Sequence, residues 1–296
     1  MTNIDLHIHT SASDGTDTPE QLIEKASHLG LKIISITDHN VIFAYHQLAG
    51  SDALKNFPGR IITGVEFCVT FGSLMIEVLG YGFDPDKMQK FINSSFNKEE
   101  MEQKEKEIFF IIKEKLLERG FKIDPDLKYV PPFATEAFEK ELWKYPENLK
   151  RFPEGLVKYP EMIYRYMNDP SCELYVFDSY FPPCQEVVAA IQDAGGLAFL
   201  AHPCTYLVDD HCRLIEDILF DSGLDGLEVF YSLHTPEQIK SLLKIADQHD
   251  LYVSGGSDYH GANKPHIKLG SGLGNLSVPE KLIEKWVGNI SDNFLR

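Results

Sequence analysis

The sequence predicts an α/β barrel that is interrupted by a mainly helical insertion. Strand-like apolar runs alternate with helix patterns over residues 4–83 and again after residue 183. Most of these runs end in His, Asp or Glu, as expected when a barrel builds its active site at the carboxyl ends of its strands. We therefore expect one discontinuous barrel domain, residues 1–83 and 182–296, and an inserted cap or substrate domain, residues 84–181.

The first strand and helix establish the pattern. Residues 4–9 are a predicted strand. Thr18 is the expected N-cap of the first helix, Pro19 stands at its first position, and Gly30 ends it. Residues 31–37 form a nearly continuous apolar run, which is typical of a buried parallel strand.

A second set of elements frames the insertion. Strands are predicted over residues 60–67 and 74–79, with Gly72 in the turn before the second of them. A long charged helix is predicted over residues 97–120, and Gly120 ends it. The later elements are helices over residues 185–194, 213–221 and 236–249 and strands over residues 197–201, 226–231 and 251–255.

Composition limits the class of protein. The chain has 296 residues, of which 43% are hydrophobic and 25% charged, as in ordinary globular proteins. No apolar run is long enough for a membrane span, and no signal peptide opens the sequence, so we expect no membrane partner. The five cysteines form no Cys-x-x-Cys pair, which favours reduced thiols and a cytoplasmic location.

The net charge of −17 argues against a broad basic surface for long nucleic acid. It does not exclude a small phosphorylated substrate or a short oligonucleotide, because bound divalent cations can reverse the charge inside one cleft.

The candidate metal ligands lie at the ends of the predicted strands. His7 and His9, two residues apart, point to the same face of a strand and can bind one ion together. Asp14, in the following polar loop, is either a carboxylate ligand or a turn residue before Gly15. The remaining strand ends offer His39, with Asp38 as its expected orienting partner, and Glu66, His202, Asp258 and His260.

The other histidines are expected to be mostly surface or structural residues. His28 and His249 lie on helices just before a strand, which places them at the opposite rim of a barrel. His211 and His234 follow strand ends, so either could approach the cleft. His46 and His266 complete this group.

Together these motifs resemble those of the PHP (polymerase and histidinol phosphatase) superfamily, and of its bacterial phosphoesterases in particular. The matching segments are residues 5–11 with 13–15, 36–40, 64–66, 194–203, 226–231 and 255–261. The resemblance implies a distorted seven-stranded (β/α) barrel of the TIM-like kind. It also implies one ion on His7, His9, Glu66 and Asp258, a second bridged by Glu66 and completed by His202, and a third on Asp14, His39 and His260. Glu66, Asp258 and His202 are the expected catalytic residues.

One ligand position departs from the family pattern, which usually has histidine where this chain has Glu77. A glutamate can still bind a divalent ion, and it favours harder ions such as Mn²⁺ or Mg²⁺. The sequence leaves Mn, Fe, Zn and Mg open. Asp14, Glu66, Glu77 and Asp258 carry four negative charges, so three divalent ions leave a positive cluster that attracts phosphate. With two divalent ions the cluster is neutral and attracts phosphate less. The sequence does not decide between two and three ions.

A second departure concerns the cations that bind the substrate. The resemblance implies that arginines of the inserted domain bind phosphate, but the predicted helix over residues 97–120 is rich in lysine and has only Arg119, near its far end. No arginine follows His202 closely. The exact phosphate substrate is therefore open.

Three functions are compatible with these observations. The first is a metal-dependent phosphoesterase that uses a metal-bridged hydroxide on phosphate monoesters or short nucleotide phosphates, such as AMP, nucleoside 3′,5′-bisphosphates or RNA ends. The second is an amidohydrolase-type C–N hydrolase, although no lysine ends a predicted strand to bridge its metals. The third is a metal- or nucleotide-binding module without activity.

Overall fold

The protein is described by a computed structural model that covers residues 3–131, 134–153, 158–159, 161–176, 181–288 and 290. The chain divides into two compact units. The first comprises Met1–Phe71, Ile76–Ser95 and Pro182–Arg296, and the second comprises Gly72–Met75 and Phe96–Phe181. The expectation that residues 84–181 act as a cap or substrate domain stays a prediction.

Seven strands form one sheet, and each is hydrogen-bonded to the next in sequence order. They are β1 (Ile4–Asp5), β2 (Ile33–Ile36), β3 (Arg60–Phe71), β4 (Leu74–Tyr81), β5 (Leu197–Leu200), β6 (Gly226–Tyr231) and β7 (Tyr252–Gly256). The sheet is nearly closed, which confirms the predicted distorted α/β barrel.

The barrel closes where β7 meets the chain after β1. Leu6 N donates to Gly255 O at 3.2 Å, and Asp258 N donates to His7 O at 2.8 Å. A Cβ added to Gly256 would lie 2.3 Å from His7 N, so only glycine permits this close approach.

Strand β4 breaks the parallel arrangement. The pairs β1–β2, β2–β3, β5–β6 and β6–β7 are parallel, whereas β4 runs antiparallel to β5. The early part of β4 therefore lies beside the carboxyl end of β5, where Ala201 N donates to Glu77 O at 3.0 Å. This reversal brings Glu77 to the barrel end at which the other strands finish.

Helices connect the strands and also occur in the second unit. They are α1 (Pro19–His28), α2 (Phe43–Leu48), α3 (Asp52–Asn56), α4 (Pro85–Ser95), α5 (Lys98–Glu118), α6 (Ala134–Trp143), α7 (Pro146–Leu149), α8 (Glu161–Met167), α9 (Cys184–Asp193), α10 (His211–Ser222), α11 (Pro236–Gln248) and α12 (Glu280–Val287). Thr18 caps α1, as the sequence predicts, and Thr235 caps α11; both caps are capping boxes.

Each unit has its own apolar core. In the first, Trp286 of α12 stacks on Tyr81 with ring centroids 5.5 Å apart, and Trp286 Nε1 donates to Val253 O at 2.9 Å. In the second, Phe109 of α5 stacks on Phe138 of α6 at 4.8 Å within a cluster of buried apolar side chains. Over the described part of the chain, none of the helices has the length and apolar character needed to cross a membrane.

Candidate metal centre

The predicted ligand side chains converge at one end of the barrel. Glu66 lies at the centre of the group: its Oε2 is 3.1 Å from His7 Nε2, 3.2 Å from His9 Nε2 and 3.5 Å from His39 Nδ1. Its Oε1 is 3.1 Å from His202 Nε2. One buried carboxylate therefore contacts four histidines, and its two oxygens face different partners.

Asp14 gathers a second set of ligands. Its Oδ2 lies 3.0 Å from His260 Nε2 and 3.8 Å from His39 Nε2, and its Oδ1 lies 3.3 Å from His9 Nδ1. The His9 and His260 rings stack with centroids 4.0 Å apart. Of the two roles that the sequence left open for Asp14, this position favours that of a ligand.

Glu77 joins the opposite side of the group. Its Oε2 lies 3.1 Å from His202 Nε2, and its Oε1 lies 3.9 Å from His39 Nδ1. Tyr206 OH accepts from Glu77 N at 2.9 Å and fixes the backbone there. The Glu77 side chain is thus directed at the cluster and not away from it.

Asp258 faces the cluster with one oxygen only. Its Oδ1 lies 3.4 Å from His9 Nε2, 3.6 Å from His7 Nε2 and 3.3 Å from His260 Nδ1. Its Oδ2 accepts from Tyr231 OH at 2.8 Å and from Lys264 Nζ at 2.9 Å. The Asp258 carboxylate is therefore shared between the candidate ligands and two side chains behind it.

The donor atoms form overlapping sets in which all members lie within 4.8 Å of one another. The sets are His9, Asp14, His39 and His260; His7, His9 and Glu66; Glu66, Glu77 and His202; and His39, Cys68 and Glu77. The first three sets overlap with the ligand sets of the three ions that the family resemblance implies, although the sequence left two or three ions open. Cys68, to which the sequence assigned no role, has its Sγ 4.0 Å from His39 Nδ1.

The histidine rings are oriented by acceptors on the side away from the cluster. His7 Nδ1 lies 2.9 Å from Glu228 Oε1, His202 Nδ1 lies 3.1 Å from Thr205 Oγ1, and His260 Nδ1 lies 2.9 Å from the Asp258 carbonyl oxygen. Because a neutral imidazole that donates through Nδ1 keeps a lone pair on Nε2, these contacts select the tautomer that can bind a cation.

Burial and opposite charge act against each other on these groups. Burial would lower the pKa of His7, but the Glu66 and Glu228 carboxylates hold that pKa well above its usual range. Burial would likewise raise the pKa of Glu66, which His7 and His39 hold well below its usual value. Burial lowers the pKa of His260 to about 4. Without cations, the cluster is held together by carboxylate–histidine contacts.

Two buried atoms indicate that the residues fit divalent ions. His9 Nδ1 and His260 Nε2 make no hydrogen bond within the described residues, although Asp14 oxygens lie 3.3 and 3.0 Å away. Buried imidazole nitrogens normally have a partner. Imidazole nitrogen and carboxylate oxygen together suit Mn²⁺, Fe²⁺ or Zn²⁺.

Glu228 supports the centre in a way that the sequence did not reveal. Its Oε2 accepts from His202 N at 2.8 Å while its Oε1 contacts His7, so one buried side chain links two ligands. The β6–β7 register shifts between Glu228 and Phe230. This bulge allows both Glu228 and Tyr231 to reach the cluster, three residues apart, where strict alternation would separate them.

Asp38 has a different role from the expected one. It was predicted to orient His39, but its carboxylate accepts from Thr10 N, Thr10 Oγ1 and Ser13 Oγ, each at 2.7 Å. The expectation fails because Asp38 and His39, as neighbours at a strand end, point in different directions. Asp38 instead holds the loop that carries Asp14.

The backbone is strained next to the ligands. Four described non-glycine residues have positive φ, and three of them are His202 (27°), Asp258 (61°) and Asn40 (55°), which follows His39. Such conformations cost energy and persist where the surroundings enforce them. Here Glu228 holds His202 N, and Asn40 Oδ1 accepts from Cys68 N at 2.9 Å.

The remaining histidines lie outside the ligand sets. His28, His46 and His249 are exposed. His211 Nε2 contacts Tyr206 O at 2.8 Å. His234 is buried, its Nδ1 donates to Val229 O at 2.9 Å, and its ring lies 5.2 Å from that of Tyr231.

The chain is similar to proteins of a known family. The family model for the PHP domain matches residues 5–150. A 3′,5′-nucleoside bisphosphate phosphatase of Chromobacterium violaceum is 28% identical over 275 residues, which cover 88% of each chain. A 5′-3′ exoribonuclease of Haemophilus influenzae is 28% identical over 290 residues, covering 95% of this chain and 97% of that one.

Solved structures agree in fold. A candidate metal-dependent phosphoesterase of Bifidobacterium adolescentis aligns with a TM-score of 0.69 and 25% identity, over 99% of this chain and 98% of that one. A Chromobacterium violaceum protein described as an amidohydrolase, with bound sulfate and no metal, aligns with a TM-score of 0.66 and 25% identity over 88% of both chains.

Proposed function

The chain belongs to the PHP family, and from this membership we propose that it is a metal-dependent phosphoesterase that hydrolyses a small nucleotide phosphate. The observation that carries the proposal is the position of Glu66, whose two oxygens join His7 and His9 on one side to His202 on the other. A carboxylate placed in this way is suited to bridge two divalent ions.

The ligands divide among the ions as follows. His7, His9, Glu66 and Asp258 would hold one ion, Glu66, Glu77 and His202 a second, and Asp14, His39 and His260 a third. When bound, such ions supply an activated water and stabilise the charge that develops on a phosphate ester. With Glu77 directed inward, we propose three ions, with Mn²⁺ preferred and Fe²⁺, Zn²⁺ and Mg²⁺ as alternatives.

The protein side chains hold this arrangement ready for the reaction. Glu228 accepts from His7 Nδ1 and from His202 N, and so fixes two ligands that follow different strands, β1 and β5. Asp38 holds the loop of Asp14 through Thr10 and Ser13. Preorganisation of this kind lowers the cost of arranging charges in the transition state.

The substrate class rests on the relatives and on charge. The relatives named above act on nucleoside bisphosphates or on RNA. The net charge of −17 disfavours long nucleic acid, so we propose a mononucleotide, a bisphosphate or a short RNA end. We also propose that residues 84–181 select among these and that the protein is cytoplasmic.

The test combines metal analysis with a substrate panel. Protein purified without added metal is analysed for Mn, Fe, Zn and Mg, reloaded with each, and assayed on AMP, nucleoside 3′,5′-bisphosphates, histidinol phosphate and short 5′-phosphorylated RNA. We expect metal-dependent release of phosphate or nucleotide from at least one. Metal-loaded protein that hydrolyses none of them, or that cleaves lactams or amides faster, would overturn the proposal.

A further inference from the structure

Lys264 places a positive charge beside the candidate metal centre. Its Nζ lies 2.9 Å from Asp258 Oδ2. Among the ion pairs between described residues, this is the one in which a lysine or arginine reaches a predicted metal ligand. The ammonium group therefore has a fixed place at the edge of the cluster.

The Lys264 side chain occupies the boundary between the cluster and solvent. It retains 19% exposure, whereas the side chain of Asp258 that it contacts retains 7%. His7 and His9, on the inner side of Asp258, are fully buried. The side chain of Lys264 is thus partly open to solvent, whereas the histidines behind Asp258 are not.

The loop that carries Lys264 is attached to the loop that carries Asp14. Asn263 Nδ2 donates to Asp14 O at 2.6 Å, and Ala262 N donates to Thr16 Oγ1 at 2.8 Å. On the other side, Ile267 N donates to Lys264 O at 3.0 Å. These bonds fix the backbone around Lys264 relative to the loop that carries Asp14.

The charges around Lys264 favour an anion beside it once metal ions are bound. Divalent ions on the inner side of Asp258 would repel a lysine on its outer side, and the Asp258 carboxylate is shared between the two. A phosphate dianion bound at the solvent side of the cluster, beside Asp258, would attract both the ions and the ammonium group. Lysine is a common point-charge ligand for phosphate.

We propose that Lys264 binds the phosphate group of the substrate while it positions Asp258, an inference that rests on the proposed function. Lys264 would take the place of the phosphate-binding arginines that the family resemblance implies. Lys264 is thus a substrate-binding residue, and it takes no part in bond making.

The test uses Lys264→Met, which keeps the length of the side chain and removes the charge, and Lys264→Arg, which keeps the charge. Inorganic phosphate is the probe, and its dissociation constant for metal-loaded protein is measured by calorimetry. We expect Lys264→Met to weaken phosphate binding about tenfold or more, since one charge-assisted hydrogen bond is lost. Lys264→Arg should recover most of that loss.

Two readouts separate binding from a merely structural role. Metal content of Lys264→Met should equal that of the wild type, and KM for the best ester should rise by more than kcat falls. Lys268→Met is the matched control, because Lys268 lies in the same loop and its Nζ donates to Pro265 O at 2.7 Å.

The outcomes decide between the two proposals. The inference is overturned if Lys264→Met binds phosphate as the wild type does, or if the metal-loaded wild type binds no phosphate. It is also overturned if the weaker phosphate binding of Lys264→Met is explained by a lower metal content. If the wild type hydrolyses no ester but binds phosphate through Lys264, the proposed function fails and the inference stands.

Discussion

The two compact units bury polar side chains for different purposes. In the second unit, the buried polar groups meet the backbone: Glu105 Oε2 accepts from Ala134 N at 2.7 Å, and Asn148 accepts from Lys122 N and donates to Lys122 O. In the first unit, the buried Glu66 of the candidate metal centre instead meets histidines that follow other strands, among them His7 and His202. All eleven histidines of the sequence fall in the first unit.

The energetics of folding therefore account for the buried charges of the second unit but not for those of the candidate metal centre. A carboxylate that accepts backbone hydrogen bonds satisfies the local chain and stabilises it. A ring of histidines and carboxylates is costly to bury and gains its benefit only when cations arrive. A Glu-to-Gln substitution made in each unit tests this difference.

The largest effect is expected at Glu66. Glu66→Gln removes the charge that joins the ligand sets, so we expect loss of most bound metal and of detectable hydrolysis. Metal analysis and phosphate release measure both. Glu141→Gln in the second unit is the matched control, since Glu141 is buried and accepts from Lys144 Nζ and Asp124 N. It should lower the free energy of unfolding by about 1 kcal/mol and leave the metal content unchanged.

Glu77 is expected to determine the number of ions. Glu77→Ala should bind one ion fewer than the wild type, because His202 and Glu66 alone leave that position with two ligands. Glu77→His should restore the count and shift preference from Mn²⁺ toward Zn²⁺ when both are offered at equal concentration. An unchanged ion count in Glu77→Ala would show that this side chain is not a ligand.

Glu228 should have a smaller but clear effect. Glu228→Gln replaces the acceptor of His7 Nδ1 and His202 N by a neutral amide, and we expect metal affinity to fall about 10- to 100-fold. Competition with a chelator measures the change. Glu216→Gln, at an exposed position on α10, should behave as the wild type. Equal affinities in the two variants would contradict the role given to Glu228.

The smallest effect concerns acid stability. Burial lowers the pKa of His234 to about 4, below its usual value of 6.5. As pH falls from 6.5 toward 4 the unfolded chain takes up a proton that the folded chain does not, so stability is present above 6.5 and is lost on acidification. Between pH 7 and 5 this amounts to about 2 kcal/mol.

His234→Gln should therefore lose less stability than the wild type when urea unfolding is compared at pH 7 and pH 5. Exposed His28, replaced in the same way, provides the control. A pH dependence that is the same in His234→Gln and the wild type would mean that His234 is already protonated in the folded chain.

The sequence revealed much of the centre because its main ligands stand in strongly marked contexts. His7, His9, Glu66, His202 and Asp258 all follow apolar strand-like runs, and the structure brings their side chains together. Glu228 stands in an equally apolar strand, but no spacing rule shows that a bulge will direct it inward. Lys264 stands in a polar loop, where lysines are commonplace.

The direction of β4 was also beyond the sequence. Gly72, at φ 58°, makes the expected turn, and the strands on both sides of it were predicted. A parallel barrel would have placed Glu77 early in its strand and far from the other ligands. Only the antiparallel pairing with β5, a contact across more than a hundred residues, brings Glu77 to His202.

Closure of the barrel by its first and last strands has a consequence for how the protein is made. His7 pairs with Glu228, and Ser257 N bonds to Asp5, across 221 and 252 residues of chain. A growing polypeptide therefore carries its early histidines long before their carboxylate partners exist. The centre can assemble only after nearly the whole chain has been synthesised, so capture of metal coincides with the end of folding.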